Sequence, residues 1–255
     1  MGIIIKTEEQ IEILREGGKR LGAILAKVAT HVKPGISTLE LDRIAHDLIK
    51  EGGDKPAFLG YKPYGHKKPF PAALCTSVNS EIVHGIPRAS VILKEGDIIS
   101  IDLGIVHDGL FTDHAITVAV GEIPKSSEKL IKITKEALDV GIWAAKCGNT
   151  VGDIGYAIES FVYKRYGIVK ELAGHGVGVE IHEDPYVPNY GKAGKGVKLV
   201  PGMVIAIEPM LTIGSPEIHV LEDGYTIKTA DGSRAAHFEH TVLITDGEPE
   251  ILTTF

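Results

Sequence analysis

Four carboxylates lie inside apolar, strand-like runs, a setting where an acid is seldom left without a partner. They are Asp102 in Ile98-Ile-Ser-Ile-Asp102, Asp113 in Leu110-Phe-Thr-Asp113, Glu208 in Val204-Ile-Ala-Ile-Glu208 and Glu239 in Ala236-His-Phe-Glu239. Asp102 and Asp113 flank the turn signal His107-Asp108-Gly109. A two-residue loop there sets His107 opposite Leu110 and Gly104 opposite Asp113, so the carboxylates of Asp102 and Asp113 become diagonal neighbours on one face of a sheet. Carboxylates held close in an apolar setting repel, and each loses its hydration. Either they share a proton or a cation neutralises them. Histidines add to the set. His175 sits in Gly174-His-Gly-Val-Gly178, where glycines let the backbone approach something closely. His182 follows it, and His84 sits in Val83-His-Gly-Ile-Pro87. A single histidine in such a segment is more often structural than catalytic. Four carboxylates with one or two imidazoles, however, form a donor set for a pair of divalent transition ions. Calcium would take more oxygens, and structural zinc would take cysteine.

These residues need a scaffold, and its elements follow from the pattern. Thr7-Glu-Glu-Gln10 is a capping box ahead of apolar residues at helical spacing, Ile11 to Val28, and Pro34-Gly35 ends that helix. Ser37-Thr-Leu-Glu40 opens a second helix through Ile49. Strands are predicted over Val91 to Leu103 and Leu110 to Val120. The order then repeats. Pro124-Lys-Ser-Ser opens a helix that Cys147-Gly148 breaks, Thr150-Val-Gly-Asp153 caps another, and strands dominate from Gly176 onward. The segment ending at Asp102 lies over Val197-Lys-Leu-Val-Pro-Gly-Met-Val-Ile-Ala-Ile-Glu208, with Val, Leu, Gly and two Ile coinciding and Asp102 falling on Glu208. This reads as an internal duplication, with halves of approximately 7–121 and 124–248 inside one domain spanning 1–255. Two such helix-helix-strand halves sharing one sheet predict an α+β fold with pseudo-twofold symmetry and acidic ligands from both halves at the axis.

Composition narrows the class. The chain has 255 residues, 44% of them hydrophobic, enough for a large core. A net charge of −7 argues against general affinity for nucleic acid. Cys75 and Cys147 are the only cysteines, which fits a reducing compartment and offers no disulfide framework. The apolar run in Met1-Gly-Ile-Ile-Ile-Lys6 is too short for a signal peptide, and no stretch reaches a membrane span. A cytoplasmic protein without a membrane partner is expected.

At these residues the chain resembles the type I methionine aminopeptidases, of the pita-bread (creatinase/aminopeptidase) fold. The motifs that carry the resemblance are Cys75-Thr-Ser-Val-Asn79, Val83-His-Gly-Ile-Pro87, Asp102-Leu-Gly104, Thr112-Asp113, Gly174-His-Gly-Val-Gly178, His182-Glu-Asp-Pro185, Ile207-Glu-Pro-Met210 and Phe238-Glu-His-Thr241, in family order over nearly the whole chain. The resemblance implies metal ligands at Asp102, Asp113, His175, Glu208 and Glu239, with Asp113 and Glu239 bridging two ions of cobalt, manganese, iron, nickel or zinc. His84 and His182 take the places of the family's two active-site histidines that are not ligands. The implied reaction is removal of the initiator methionine from nascent chains, with a monomer as the working unit. Two ions would lower the pKa of a water, Glu208 would accept and pass on its proton, His182 would stabilise the oxyanion and His84 would contact the scissile amide. The free amine of the substrate would bind at a metal.

The implied methionine pocket maps onto Phe58, Tyr61, Phe70, Cys75, Ile181 and Tyr225, apolar and aromatic walls that suit a thioether; the plainer reading of each is core packing, and for Ile181 and Tyr225 the two readings weigh evenly. Lys62-Pro-Tyr-Gly-His-Lys-Lys-Pro69 is longer than the matching loop of most relatives, and Phe58 and Tyr225 stand where some carry cysteine and tryptophan. The few residues before the first capping box imply that the zinc-binding extension of eukaryotic type I members is absent. The span from Glu208 to Glu239 is too short for the type II insertion. Lys192, Lys195 and Lys198 form a local basic patch in a Gly-rich loop and raise the prospect of transient ribosome contact, against the plainer reading of a solvated loop. Two rival functions stay open: a proline-specific aminopeptidase or prolidase on the same fold, and a non-catalytic peptide- or ribosome-binding relative.

Overall fold

The computed structural model describes residues 2–254. Met1, at the head of the short apolar run, and Phe255, at the end of the expected domain, lie outside the described residues.

The first half runs α1 (Glu8–Ala29), α2 (Thr38–Glu51), β1 (Lys55–Pro56), β2 (Leu74–Val78), β3 (Glu81–Val83), β4 (Ile98–His107) and β5 (Leu110–Ala119). Both helices start at the expected capping boxes, Thr7 with Gln10 and Ser37 with Glu40, where side chain and backbone satisfy each other's exposed donors. The second half repeats the order with α3 (Lys125–Ala144) and α4 (Val151–Val162), the latter capped by Thr150 and Asp153. Short strands follow: β6 (Gly167–Ile168), β7 (Gly174–Gly176), β8 (Glu183–Val187), β9 (Val204–Ile207), β10 (Met210–Thr212), β11 (Ile218–Val220), β12 (Ile227–Thr229), β13 (Ala235–His237), β14 (Glu239–Leu243) and β15 (Glu250–Ile251).

A nine-stranded sheet joins the halves in the order β1-β4-β5-β14-β9-β7-β8, with β2 also on β4 and β15 on β14. The β4–β5 hairpin of one half meets the β9–β14 pair of the other at the β5–β14 seam, the place expected for the symmetry axis. The shared sheet does not hold every strand. Strands β13-β10-β6 and β11-β12-β3 form two further sheets, and the second of these takes one strand from the first half.

Alternation along β4 explains both the packing and the site. Ile99, Ile101, Leu103 and Ile105 join the core under α1 and α2 with Leu21, Leu25 and Leu41, so Ser100, Asp102 and Gly104 face the other way. On β9, Ile205 and Ile207 join the core under α3 and α4 with Leu138, Ile154 and Ile158, which turns Glu208 to the opposite face. The first strand begins at Ile98 rather than at the expected Val91. A tight turn intervenes, in which the Lys94 amide donates to Asp97 Oδ2 at 2.8 Å and Gly96 adopts φ 88°.

Candidate active site

The turn at Asp108 and Gly109 has positive φ at both residues, 45° and 86°, the geometry that matches hairpin twist. His107 pairs with Leu110 and Gly104 with Asp113, as the spacing predicts. Register then lines up one row across four strands: Cys75 opposite Asp102, Asp102 opposite Ala115, and Ala115 opposite Glu239. The small Ala115 leaves room between Asp102 and Glu239, and Asp113 lies one step along the same face. On the other side of the seam His240 pairs with Ile207, which brings the following Glu208 beside Glu239.

His175 on β7 completes the set, its Nε2 3.5 Å from Glu208 Oε1. Its Nδ1 faces the Gly176 carbonyl at 2.9 Å. A carbonyl can only accept, so the proton sits on Nδ1 and the Nε2 lone pair is free. Two triads, Asp113–His175–Glu239 and Glu208–His237–Glu239, each bring their three donor atoms within 4.8 Å of one another. Asp102 belongs to neither triad but lines the same cavity.

The electrostatics of this floor call for a cation. Burial drives the carboxyl of Asp113 up to about 8 and that of Glu208 up to about 8. Burial, with repulsion from neighbouring carboxylates, pushes Asp102 and Glu239 well above the usual range. Burial holds His175 down at about 3 and His84 at about 4, so both imidazoles are neutral. Among the described residues no lysine or arginine pairs with these acids. Asp102 Oδ1 and Glu239 Oε1 are buried without a hydrogen-bond partner. Unpaired buried oxygens beside a free imidazole nitrogen fit divalent metal binding.

The cavity above this floor has a volume of about 260 Å³. Phe58, Tyr61, Phe70, Cys75 and Tyr225 line it, and Ile181 is buried in the same apolar cluster as Phe58, Phe70, Cys75 and Tyr225. Phe70 packs edge-on to Phe58 at 6.5 Å and to Tyr225 at 5.2 Å. The long loop closes one side. His66 packs against Tyr225 with tilted rings at 4.6 Å, and the Tyr225 hydroxyl donates to the Lys68 carbonyl at 2.7 Å. His84 and His182 both line the cavity, and Tyr61 Oη lies 2.8 Å from His182 Nδ1.

His237 is the residue that the sequence reading passed over. It is buried, with Nε2 3.2 Å from Glu208 Oε2 and 3.9 Å from Glu239 Oε2, off the hydrogen-bonding direction of either. The signal was present: His237 and Glu239 occupy alternate positions of one extended run, the spacing that put Asp102 and Gly104 together.

Comparison with known proteins accords with this geometry. The chain is 47% identical over 252 residues to the protein named methionine aminopeptidase in Clostridium acetobutylicum, covering 98% of each. It is 45% identical to methionine aminopeptidase 1 of Bacillus subtilis, covering 98% of this chain and 99% of that one. The crystal structure of methionine aminopeptidase from Thermotoga maritima superposes with a TM-score of 0.94 at 42% identity over 100% of both chains. Prolidase from Pyrococcus furiosus superposes less well, at a TM-score of 0.77 and 26% identity, over 99% of this chain and 66% of that one. Residues 12–246 match the profile of metallopeptidase family M24. With its pita-bread architecture, its acid-and-histidine floor and these relatives, the chain belongs to metallopeptidase family M24.

Proposed function

We propose that this chain hydrolyses the first peptide bond of nascent proteins that begin with methionine. The observation that carries the reading is a floor of three buried carboxylates, the part-buried Glu208 and His175 beneath a pocket walled by Phe58, Tyr61, Phe70, Cys75 and Tyr225. Near full-length likeness to proteins named methionine aminopeptidase supports the same substrate.

Asp102, Asp113, His175, Glu208 and Glu239 would hold two divalent ions, of cobalt, manganese, iron, nickel or zinc. When bound, such ions act as Lewis acids and make water nucleophilic at neutral pH. The remaining work belongs to side chains. Glu208 takes a proton at its carboxylate and returns it to the leaving nitrogen. A hydrogen bond donated by Tyr61 Oη to His182 Nδ1 leaves the proton of the neutral ring on Nε2, so that nitrogen donates to the oxygen on which negative charge develops. His84, neutral under burial, hydrogen-bonds the scissile amide. The aromatic walls grip the thioether and keep water from it. Ile181 supports Phe58: a Cβ at Gly104 would meet the side chains of both.

The chain works as one catalytic domain whose halves, approximately 7–121 and 124–248, each donate ligands. All of these groups come from a single copy, which suits a monomer. No helix among the described residues is long and apolar enough to cross a membrane, and a cytoplasmic location is the natural place to meet new chains. Lys192, Lys195 and Lys198 are all exposed on the loop at the N-terminal end of α4, a surface suited to transient ribosome contact. Unchanged ribosome co-sedimentation after replacing all three would end that part of the reading.

Purified protein reconstituted with each metal should release methionine from Met-Ala-Ser and should lose that activity in Asp113→Ala. Cleavage of Ala-Pro alone would move the chain to the proline-specific branch. Absence of both activities and of metal uptake would point to a binding protein.

A further inference from the structure

Lys6 is buried, yet nothing in the reaction uses it. Its ammonium pairs with the carboxylate of Glu183, and both side chains are 1% exposed. Taking both charges out of water is unfavourable unless geometry and further hydrogen bonds compensate, and a hydrophobic pair of similar volume often stabilises a fold as well. The compensation is local and specific. Glu183 Oε1 accepts from the backbone amides of Val179 and Glu180, the latter at 2.9 Å. Those amides belong to the turn between β7 and β8, closed by the Gly178 amide donating to the Glu180 carbonyl at 3.1 Å.

Lys6 is itself held firmly. Its amide donates to the Gly202 carbonyl at 2.8 Å and its Nζ to the Ile4 carbonyl at 3.3 Å. Its aliphatic stem lies flat on Gly178, whose φ of 141° and lack of a side chain make room for it; a Cβ there would collide with Lys6 Cε. The clamped turn therefore has His175 at its entry and His182 at its exit, immediately before Glu183. His175 and His182 also touch each other edge-on, with ring centroids 4.4 Å apart.

We propose that Lys6 is a positioning residue for the reaction: by neutralising Glu183 and packing on Gly178, it fixes the turn that sets His182, and with it His175, over the acidic floor. The inference rests on the reading of these histidines given under Proposed function. It makes the segment ahead of α1 a strap for the active site rather than a passive lead-in.

The test compares the full chain with Lys6→Met, Glu183→Ala and the double variant Lys6→Met/Glu183→Gln. It reads amide exchange over residues 176–184, thermal melting, and steady-state kinetics on Met-Ala-Ser with manganese. In Lys6→Met, exchange in the turn should rise about tenfold. There kcat should fall about tenfold or more while KM stays within about twofold, because a catalytic group has moved and the pocket has not. The double variant should recover kcat to within about threefold, since the amide oxygen introduced by Glu183→Gln still accepts the two backbone N–H groups without leaving a buried charge. A lower melting temperature with native exchange in the turn and native kcat would make the pair merely structural and overturn the proposal. So would a double variant as impaired as Lys6→Met. Should Lys6→Met fail to fold, Glu183→Ala decides: faster exchange and lower kcat support the strap, and native values refute it. If the parent releases no methionine, the reading of the active site falls, while exchange in the turn still decides whether Lys6 holds it.

Discussion

The hydroxyl of Thr241 closes two hydrogen bonds on the backbone of Asp113, accepting from its amide at 2.9 Å and donating to its carbonyl at 2.7 Å. Thr241 belongs to one half and Asp113 to the other. Between β5 and β14 the ladder pairs Ala115 with Glu239 and His114 with His240, and the hydroxyl takes the next step. One side chain thus sutures the symmetry axis directly behind the Asp113 carboxylate, one of the residues that would hold metal. Thr241→Val keeps the volume and leaves a buried N–H and C=O unpaired, at about 1–3 kcal/mol each. Urea denaturation should register a loss of about 2–6 kcal/mol, and calorimetry with manganese should find weaker uptake. Native values for both would remove Thr241 from the site's support.

The metal-free protein should become less stable as pH rises from 6.5 to beyond 8. Asp113 and Glu208 sit at about 8 when folded, against ordinary values of 3.8 and 4.5. Between those limits the folded state holds more protons than the unfolded one, so stability falls with rising pH. His84 and His175, at about 4 and about 3 against an ordinary 6.5, act oppositely, because there the unfolded state binds more protons; their contribution to the slope ends near 6.5. Urea titrations in chelator at pH 6.5, 7.5 and 8.5 measure the slope. Asp113→Asn should flatten it and raise metal-free stability at pH 8.5, while abolishing uptake of at least one ion. A slope of the opposite sign would show that the acids are not mutually crowded.

His182→Ala should lower kcat about 10²–10³-fold with little change in KM, the signature of an interaction made only in the transition state. Tyr61→Phe, which removes the partner of His182 Nδ1 at 2.8 Å, should lower kcat by a smaller factor. Equal losses in the two variants would mean that Tyr61 does more than orient the ring.

Tyr225 ties the long loop to the pocket through its ring contact with His66 and its bond to Lys68. Tyr225→Ala should lower kcat/KM for Met-Ala-Ser by roughly 1–3 kcal/mol of transition-state binding and admit bulkier first residues such as phenylalanine. Kinetics on a short peptide series with varied first residues would test this; unchanged selectivity would place the specificity wall elsewhere.

Local features were legible in advance because their causes are local. Capping boxes marked the starts of α1, α2 and α4, and two-residue alternation with the Asp108-Gly109 turn placed Asp102 and Asp113 on one face. The apolar run from Val91 misled the first strand's start, because Gly96 and Asp97 bend the chain before pairing begins. Convergence of Glu208, Glu239 and His175 on that face could be expected from duplication and family likeness, yet no local pattern dictates it. It depends on β5 pairing with β14 across long sequence separation. His237 was legible only in part: it alternates with Glu239 along the chain, but β13 pairs with β10 in a different sheet, and its approach to Glu208 is a tertiary contact.

Residue types and short-range periodicity therefore determined the chemistry on offer: acids in apolar strands, histidines in glycine turns and an aromatic cluster ahead of Cys75. Tertiary structure decided which of them meet. It packed Ile181 into the cluster of Phe58 and Phe70, folded the long loop onto Tyr225 and ran Lys6 beneath the histidine turn. Those contacts join groups far apart in the chain, and their energies arise from burial and close packing, which exist only once the sheet has closed.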